Sequence, residues 1–401
     1  MILQKKYTST APQAKATIDQ TRHIYSLQNW LKLRKVCHAF RNFIDVIKLD
    51  NELIEVNIEV TPSAIYATID FASQSRESVN LYYIRYGKNS LFKIEEGIMK
   101  KSKLIKNQDF VDAFFNDFGF ILRNQSKPLK YMNVEEWPYN WYEGYHYDID
   151  LINSHRATYS IYGCCTSPRP FECSFEAHQH LRKINNKHTL QPIAVKFHDR
   201  FVCILKSRKY LIPIQNLEID VLRPSNLWNM TRLIDMKQLK GIWIKKTPEE
   251  SDRKDGKPLI LDEIVELDVF NHIQVLSILD FKVTVPLETF LHIPHLTVTI
   301  STPTIEDVLL IKKESEFTFC TNMLTSPTAK SRRVYCDHIE DADILLNTLG
   351  HANPYYIKLC WYFKIPESDQ ALKISKEWCY PYCFSFTWIE TSWISKDAVV
   401  N

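Results

Sequence analysis

NLEIDV (Asn216–Val221), QLKGIWI (Gln238–Ile244), IQVLSI (Ile273–Ile278) and HLTVTI (His295–Ile300) are apolar clusters that follow one another along the chain. Their spacings run from about 20 to 35 residues, within the range of repeat architectures. Each is short and flanked by turn-forming residues, as a strand is. Between them stand turns and short helical stretches such as PSNLWNMTRLIDM, LETFLHI and TIEDVLLIKK. One strand and one helix per unit is the pattern of an irregular leucine-rich-repeat-like solenoid, in which each unit buries its face only against its neighbours. The alternative within the α/β class is a single sheet layered with helices. The widest gap holds TPEESDRKDGKP (Thr247–Pro258), a charged loop expected to project into solvent.

Upstream of the clusters, Ala194 to Ile214 reads as short strands, and Trp137 to Ile193 is rich in Tyr, His and Cys without a clear period. Asn107 is placed to cap a helix on which Val111, Phe114, Phe115, Phe118, Ile121 and Leu122 form a buried stripe, closed by Pro128. Before it lie strands: Leu53 to Val60, a turn at Pro62-Ser63, Ile65 to Phe71, then Val79 to Tyr86 and Leu91 to Ile94 around Gly87-Lys88-Asn89 as a hairpin. LKLRKVCHAFRNFIDVIKLD (Leu31–Asp50) has helical spacing, with Leu33, Val36, Cys37, Phe40, Ile44 and Ile47 on one stripe and Lys32, Arg34, Lys35, His38 and Arg41 opposite. Periodicity alone reads that stretch as a core-packing helix. Residues 1 to 20 are polar and aperiodic, the composition of a disordered tail.

Composition narrows the function. The 401 residues suffice for one large or two ordinary domains. Hydrophobic residues at 45% and charged residues at 24% are ordinary for a globular protein. Only 8 glycines are present, and neither GxGxxG nor GxxxxGK[ST] occurs, so the two common Gly-rich phosphate cradles are excluded. A net charge of +3 is too small to indicate nucleic acid. The first residues carry charges where a secretory leader needs an apolar core, and no apolar run reaches membrane-spanning length. With 10 scattered cysteines, the expectation is an intracellular protein, cytoplasmic or nuclear, with reduced thiols.

Constellations that could carry chemistry are few. Cys164, Cys165, Cys173, His178, His180 and His188 fall in one segment, but no CxxC knuckle is present, and scattered structural residues are the plainer reading. Cys379-Tyr-Pro-Tyr-Cys383 has one residue too many for a redox CxxC and reads as two strands around Pro381. Pro294 separates His292 from His295 and excludes the uninterrupted helix of HExxH chemistry. Asp148 and Asp150 suit a solvated strand edge better than an acid–base pair. Trp243, Trp361, Trp388 and Trp393 sit in strand-like segments where core burial is expected. Trp137, Tyr139, Trp141, Tyr142 and Tyr145 occupy a turn-rich stretch that would form a recognition patch if exposed. No GxSxG elbow or kinase signature is present.

Four blocks, in order, resemble nematode F-box proteins that carry an FTH domain. LRKVCHAFRNFIDVIKLD resembles the second half of the F-box. KNQDFVDAFFNDFGFILRNQSKPLKYMNV (Lys106–Val134) is similar to that family's helix and exit loop. The segment from Leu261 to Lys313 is similar to the middle of the FTH domain, and Cys360 to Val400 to its closing strands. None of the blocks is catalytic, and TRHIYSLQN lacks the Leu-Pro that opens an F-box, so the first half of that module is shortened or diverged.

The resemblance implies a partial F-box at 21–50 followed by an FTH-like domain at 51–401, in which 135–193 is a diverged or inserted segment. It implies a substrate-recognition subunit of a cullin-type ubiquitin ligase. Its F-box docks on the Skp adaptor, its FTH domain binds a target protein, and it has no catalytic step and no cofactor of its own. Carried over by position, the adaptor-docking residues are Leu31, Leu33, Val36, Cys37, Phe40 and Phe43. A stand-alone protein-binding scaffold is the rival expectation, because losing an F-box helix removes apolar anchors. A metal-dependent enzyme with its site near Tyr145 to His188 is the third.

Overall fold

The structure, a computed structural model, describes residues 53–72, 78–96, 99–137, 190–247, 260–322, 331–339, 342–355, 358–365, 368–377, 382–396 and 398–400. These residues form a mixed α/β protein divided into two compact units. The first holds the described residues before Lys130 together with Lys196–Ile212, and the second those of Lys130–Pro138, Thr189–Val195 and Pro213–Asn401.

The first unit is an antiparallel meander of β1 (Leu53–Val60), β2 (Ala64–Phe71), β3 (Val79–Tyr86), β4 (Asn89–Glu96) and β5 (Met99–Ile105), each strand paired with the next. Its hairpin register is fixed at Tyr86↔Asn89, with Gly87 at φ 59, a left-handed conformation that glycine adopts without steric cost. Alternation sends Val56, Ile58, Ile65, Ile69, Leu81 and Tyr83 into the core.

Against strands β2, β3 and β4 lies α1 (Phe110–Asn124). Its buried residues include all six of the expected stripe, but its cap is Asp109, whose carboxylate accepts from the Val111 N–H at 2.9 Å. Asn107 instead takes φ 52 in the preceding turn, a left-handed conformation that asparagine tolerates.

The segment expected as short strands from Ala194 is helical: α2 spans Leu190–Lys206. Val195, Val202 and Ile204 give it a β-like composition, but Ile193, Ala194, Phe197, Phe201 and Leu205 recur at helical spacing and are buried. Packing of that stripe overrides intrinsic propensity. Pro192 is tolerated because first-turn amides have no intrahelical acceptor. From Lys196 onward α2 lies against α1, with Phe197 centred 5.0 Å from Phe115 and 6.1 Å from Phe114. The Lys196 ammonium bridges Asp109 and Asp112 at 2.8 Å each, and Arg200 reaches Asp112. Burial opposes these charges, yet the pairing prevails, lowering the Asp112 pKa and raising that of Lys196.

Gln125, 1% exposed, ends α1 and stitches it to β1. Its Oε1 accepts from the Leu53 N–H at 3.1 Å, while its Nε2 donates to the Leu53 carbonyl at 3.2 Å and the Lys127 carbonyl at 2.7 Å. Gln125→Ala would leave the buried N–H and carbonyl of Leu53, and the more exposed Lys127 carbonyl, without these bonds. We expect it to cost about 2 kcal/mol, read as a lower denaturant midpoint.

The second unit contains the sequence clusters. Strands β6 (Tyr131–Glu136), β8 (Asn216–Val221), β10 (Gly241–Lys246), β11 (Val275–Val283), β12 (His295–Ile300) and β13 (Ser331–Cys336) form one parallel run, neighbours in that order. The two-residue strands β7 (Ile212–Pro213) and β9 (Ile234–Asp235) lie outside it. Connections between successive strands include α3 (Pro224–Thr231), the 3₁₀ turns Asp262–Glu266 and Leu287–Phe290, and α4 (Ile305–Asn322). Only some units carry a full helix, so the expected one-helix-per-strand regularity is partial. A bulge in β11 shifts its register between Ser277 and Lys282, where Asp280 takes φ 63.

After α5 (Ala342–Thr348), the strands β14 (Asn353–Tyr355), β15 (Lys358–Lys364), β16 (Gln370–Glu377) and β17 (Tyr382–Glu390) run antiparallel, and β17 returns to pair with β13. Among the tryptophans expected in the core, Trp361 is fully buried, whereas Trp393 is 73% exposed in a 3₁₀ turn after β17.

Candidate protein-interaction surface

Alternation along the parallel run divides the side chains of the second unit into two faces. Leu217, Ile219, Ile242, Ile244, Leu276, Ile278, Leu296, Val298 and Val334 share one face by register and are all buried. That face is covered by the connections, whose Leu227, Met230, Ile264, Leu287, Phe290, Val308 and Ile311 are buried too. Asn133, Glu218, Trp243, Thr297, Thr299 and Tyr335 share the other face and are half-buried; on the same face Ser277 is buried and Arg333 is exposed. The pattern repeats in β13, where Arg332 is 1% exposed and donates to the Leu291 carbonyl at 2.8 Å while its neighbour Arg333 points the other way. A sheet covered on one side presents a broad polar surface on the other, with aromatics at intervals.

At the β6 end this surface is organised by charge. Glu218 accepts from Tyr131 Oη and from the Lys245 ammonium, and Lys245 lies 3.5 Å from Glu135. Burial alone would depress the Lys245 pKa, but its bond to Glu218 and the surrounding carboxylates raise it. Beneath, Asp220 is 6% exposed and accepts from the Glu136 N–H at 2.7 Å, while the Glu136 carboxylate accepts from Thr247 Oγ1. Desolvation is the main cause raising the Asp220 pKa to about 7, with the Glu136 charge adding to it and the Glu136 N–H and Lys245 opposing. The resulting network joins three parallel strands, β6, β8 and β10.

The sequence candidates fall unevenly on the structure. Leu31, Leu33, Val36, Cys37, Phe40 and Phe43 lie outside the described residues, as do Tyr139, Trp141, Tyr142, Tyr145, Asp148, Asp150 and the segment from Cys164 to His188. Trp137 is half-buried, and its indole donates to Glu135 at 3.2 Å. Of the CYPYC pair, Cys379 lies outside the described residues, while Cys383 is buried on β17 and, like the buried Cys336 and Cys360 and the exposed Cys203, forms no disulfide among the described residues. His292 hydrogen-bonds the Phe270 carbonyl at 2.8 Å and His295 opens β12, so Pro294 separates a turn from a strand. The acidic network and the exposed Arg333 escaped sequence reading. Their only signal was the polar member of each alternating pair in NLEIDV, GIWIKK and SRRVYC.

These features define a mixed α/β protein with a one-sided, polar sheet. The family model of the FTH domain matches residues 195–343, which run from α2 through β8, β10, β11, β12 and β13 into α5. That match supports an FTH-domain protein, and it takes in the segment from Leu261 to Lys313. No curated protein and no solved structure matches the chain. Among the described residues, no helix is long and apolar enough to cross a membrane.

Proposed function

We propose that this chain is the substrate-recognition subunit of a cullin-based ubiquitin ligase, docking on the Skp adaptor through Leu31, Leu33, Val36, Cys37, Phe40 and Phe43. The FTH part binds the protein to be modified, and the parallel run of strands acts as an irregular leucine-rich-repeat-like solenoid. Its contribution is proximity and orientation, with the chemistry on other subunits. The observation that carries the reading is the FTH match at 195–343 on a sheet whose uncovered face is polar and aromatic. Such a face suits a protein partner better than a small molecule, which prefers a concave apolar cleft.

The test is co-purification with the Skp adaptor. Leu33→Asp and Phe40→Asp, in folded protein, are each expected to weaken adaptor binding by about tenfold or more, since each puts a charge into an apolar interface. Folded wild-type chain that fails to bind the adaptor at micromolar concentration would favour the second reading, a stand-alone binding scaffold. The absence of a Leu-Pro turn in TRHIYSLQN supports that second reading.

A further inference from the structure

We infer that the uncovered sheet face around β13, β17 and β16 binds an acidic extended segment of a partner protein, with Arg333 and Lys373 receiving two of its carboxylates. The inference rests on reading this face as the target-binding surface, and it names the chemistry of the target. Register places the residues. Arg333 pairs with Ser385 across β13 and β17 and neighbours Thr297 on β12. Lys373 pairs with Thr387 across β16 and β17, and Ser331 pairs with the same Thr387. Directly opposed residues point to one side of a sheet, so Arg333, Lys373, Thr297, Ser385, Thr387 and Ser331 share a face.

That face is open to a partner. Arg333 is exposed, and Lys373, Thr297, Ser385, Thr387 and Ser331 are half-buried. The same face closes beside them, where Ser375, Cys383, Cys360 and Tyr362 are buried, so the accessible strip runs along Arg333, Ser331, Thr387 and Lys373. Charge then selects the partner. Elsewhere on this face Lys245 is matched by Glu218 and Glu135 and Lys358 by Glu377, while Lys364 on β15, on the same side as Lys373, adds a third exposed cation. Among the described residues neither Arg333 nor Lys373 has a carboxylate within ion-pair distance. Two unmatched cations among hydroxyl groups leave a positive field that an incoming anion would complete.

Spacing favours two separate carboxylates over one phosphoryl group. β13 and β16 are two strands apart, and the two rows are two residues apart along the strands. Arg333 and Lys373 are therefore separated by roughly 12 Å between Cα atoms. An extended segment carries same-side residues about 7 Å apart, and side chains reaching inward from both cations span the difference. Phosphate is held best by converging cations and free backbone N–H groups. The amides of these strands are used within the sheet ladder, so the face has none to offer. A second copy of this chain is disfavoured as the occupant because its matching face would oppose cation to cation.

The experiment uses the full chain and a fluorescein-labelled nonapeptide, Thr-Glu-Thr-Glu-Thr-Glu-Thr-Glu-Thr, followed by anisotropy at low ionic strength. Binding is expected, weakening as salt rises. The Arg333→Gln/Lys373→Gln double variant should lose about tenfold in affinity, while Lys88→Gln in the other unit should leave it unchanged. Adaptor binding should be unaffected by the double variant, so this test fails or succeeds independently of the ligase assignment. The inference is overturned if the Gln-for-Glu peptide binds equally well, or if the double variant binds like wild type. A neutral peptide bearing one phosphoserine that binds tighter than the acidic peptide would also overturn it, in favour of a phosphoryl site.

Discussion

Phe114→Ala is expected to lower the unfolding free energy by about 4 kcal/mol, the middle of the range for truncating a buried phenylalanine. The ring is fully buried and lies 5.5 Å from Tyr83, 5.0 Å from Phe115, 4.9 Å from Phe118 and 6.1 Å from Phe197, measured between centroids. It therefore joins the meander, through β3, to both helices packed in that unit. Tyr83 is held from its other end by a 2.8 Å bond from its hydroxyl to Asp117, and Phe197 by stacking on Phe201 at 6.0 Å. Neighbours tied in this way are poorly placed to collapse into the space the ring leaves, and an uncollapsed cavity is what makes a truncation costly. Phe114→Leu should cost less than half as much, because most of the volume is kept. Urea unfolding would show both effects as shifts of the midpoint at unchanged slope. A Phe114→Ala loss below about 1 kcal/mol would mean that the aromatic cluster does not stabilise this unit in the way its packing implies.

How far the sequence alone could be read follows from the distance over which each feature is determined. The stripe Val111 to Leu122 and the strands around Gly87 were legible because helical and alternating periods are local, and the glycine announces its own turn. The clusters NLEIDV, GIWIKK, VLSI and HLTVTI were legible as strands, and the parallel order in which they pair follows their order along the chain. Helix α2 is hidden from local reading because valine and isoleucine at Val195, Val202 and Ile204 suggest strand, while the deciding contacts come from Phe114 and Phe115, far back along the chain. Similarly, Trp393 looked like core from its neighbours but falls beyond the last paired residue of β17. The polar surface was the least legible part. Glu218 meets Lys245 only because β8 and β10 are adjacent, and Arg333 shares a face with Lys373 only because β17 returns between β13 and β16. A sequence lists these charges but not which of them remain unmatched.

Asp220→Asn should make the protein more stable at pH 8 while leaving it nearly unchanged at pH 4. Asp220 is buried on β8 with its pKa raised to about 7 from an ordinary value of 3.8, chiefly by desolvation. Between those two values the folded chain holds a proton that the unfolded chain has released. Stability therefore falls as pH climbs through this window, and the penalty is complete above about 7. Three pH units at 1.36 kcal/mol each set the ceiling near 4 kcal/mol, an order-of-magnitude figure. Lys245 stays charged throughout the window, because its own pKa is raised, so the slope belongs to the carboxyl group. Asparagine is nearly isosteric, and its amide oxygen is able to accept the Glu136 N–H that the carboxylate now accepts at 2.7 Å. It has no proton to lose, so the difference between variant and wild type should open progressively from pH 4 to pH 7 in thermal or urea unfolding. A difference independent of pH across that interval would mean that Asp220 enters the folded state already ionised, with Lys245 compensating it more fully than its 94% burial suggests.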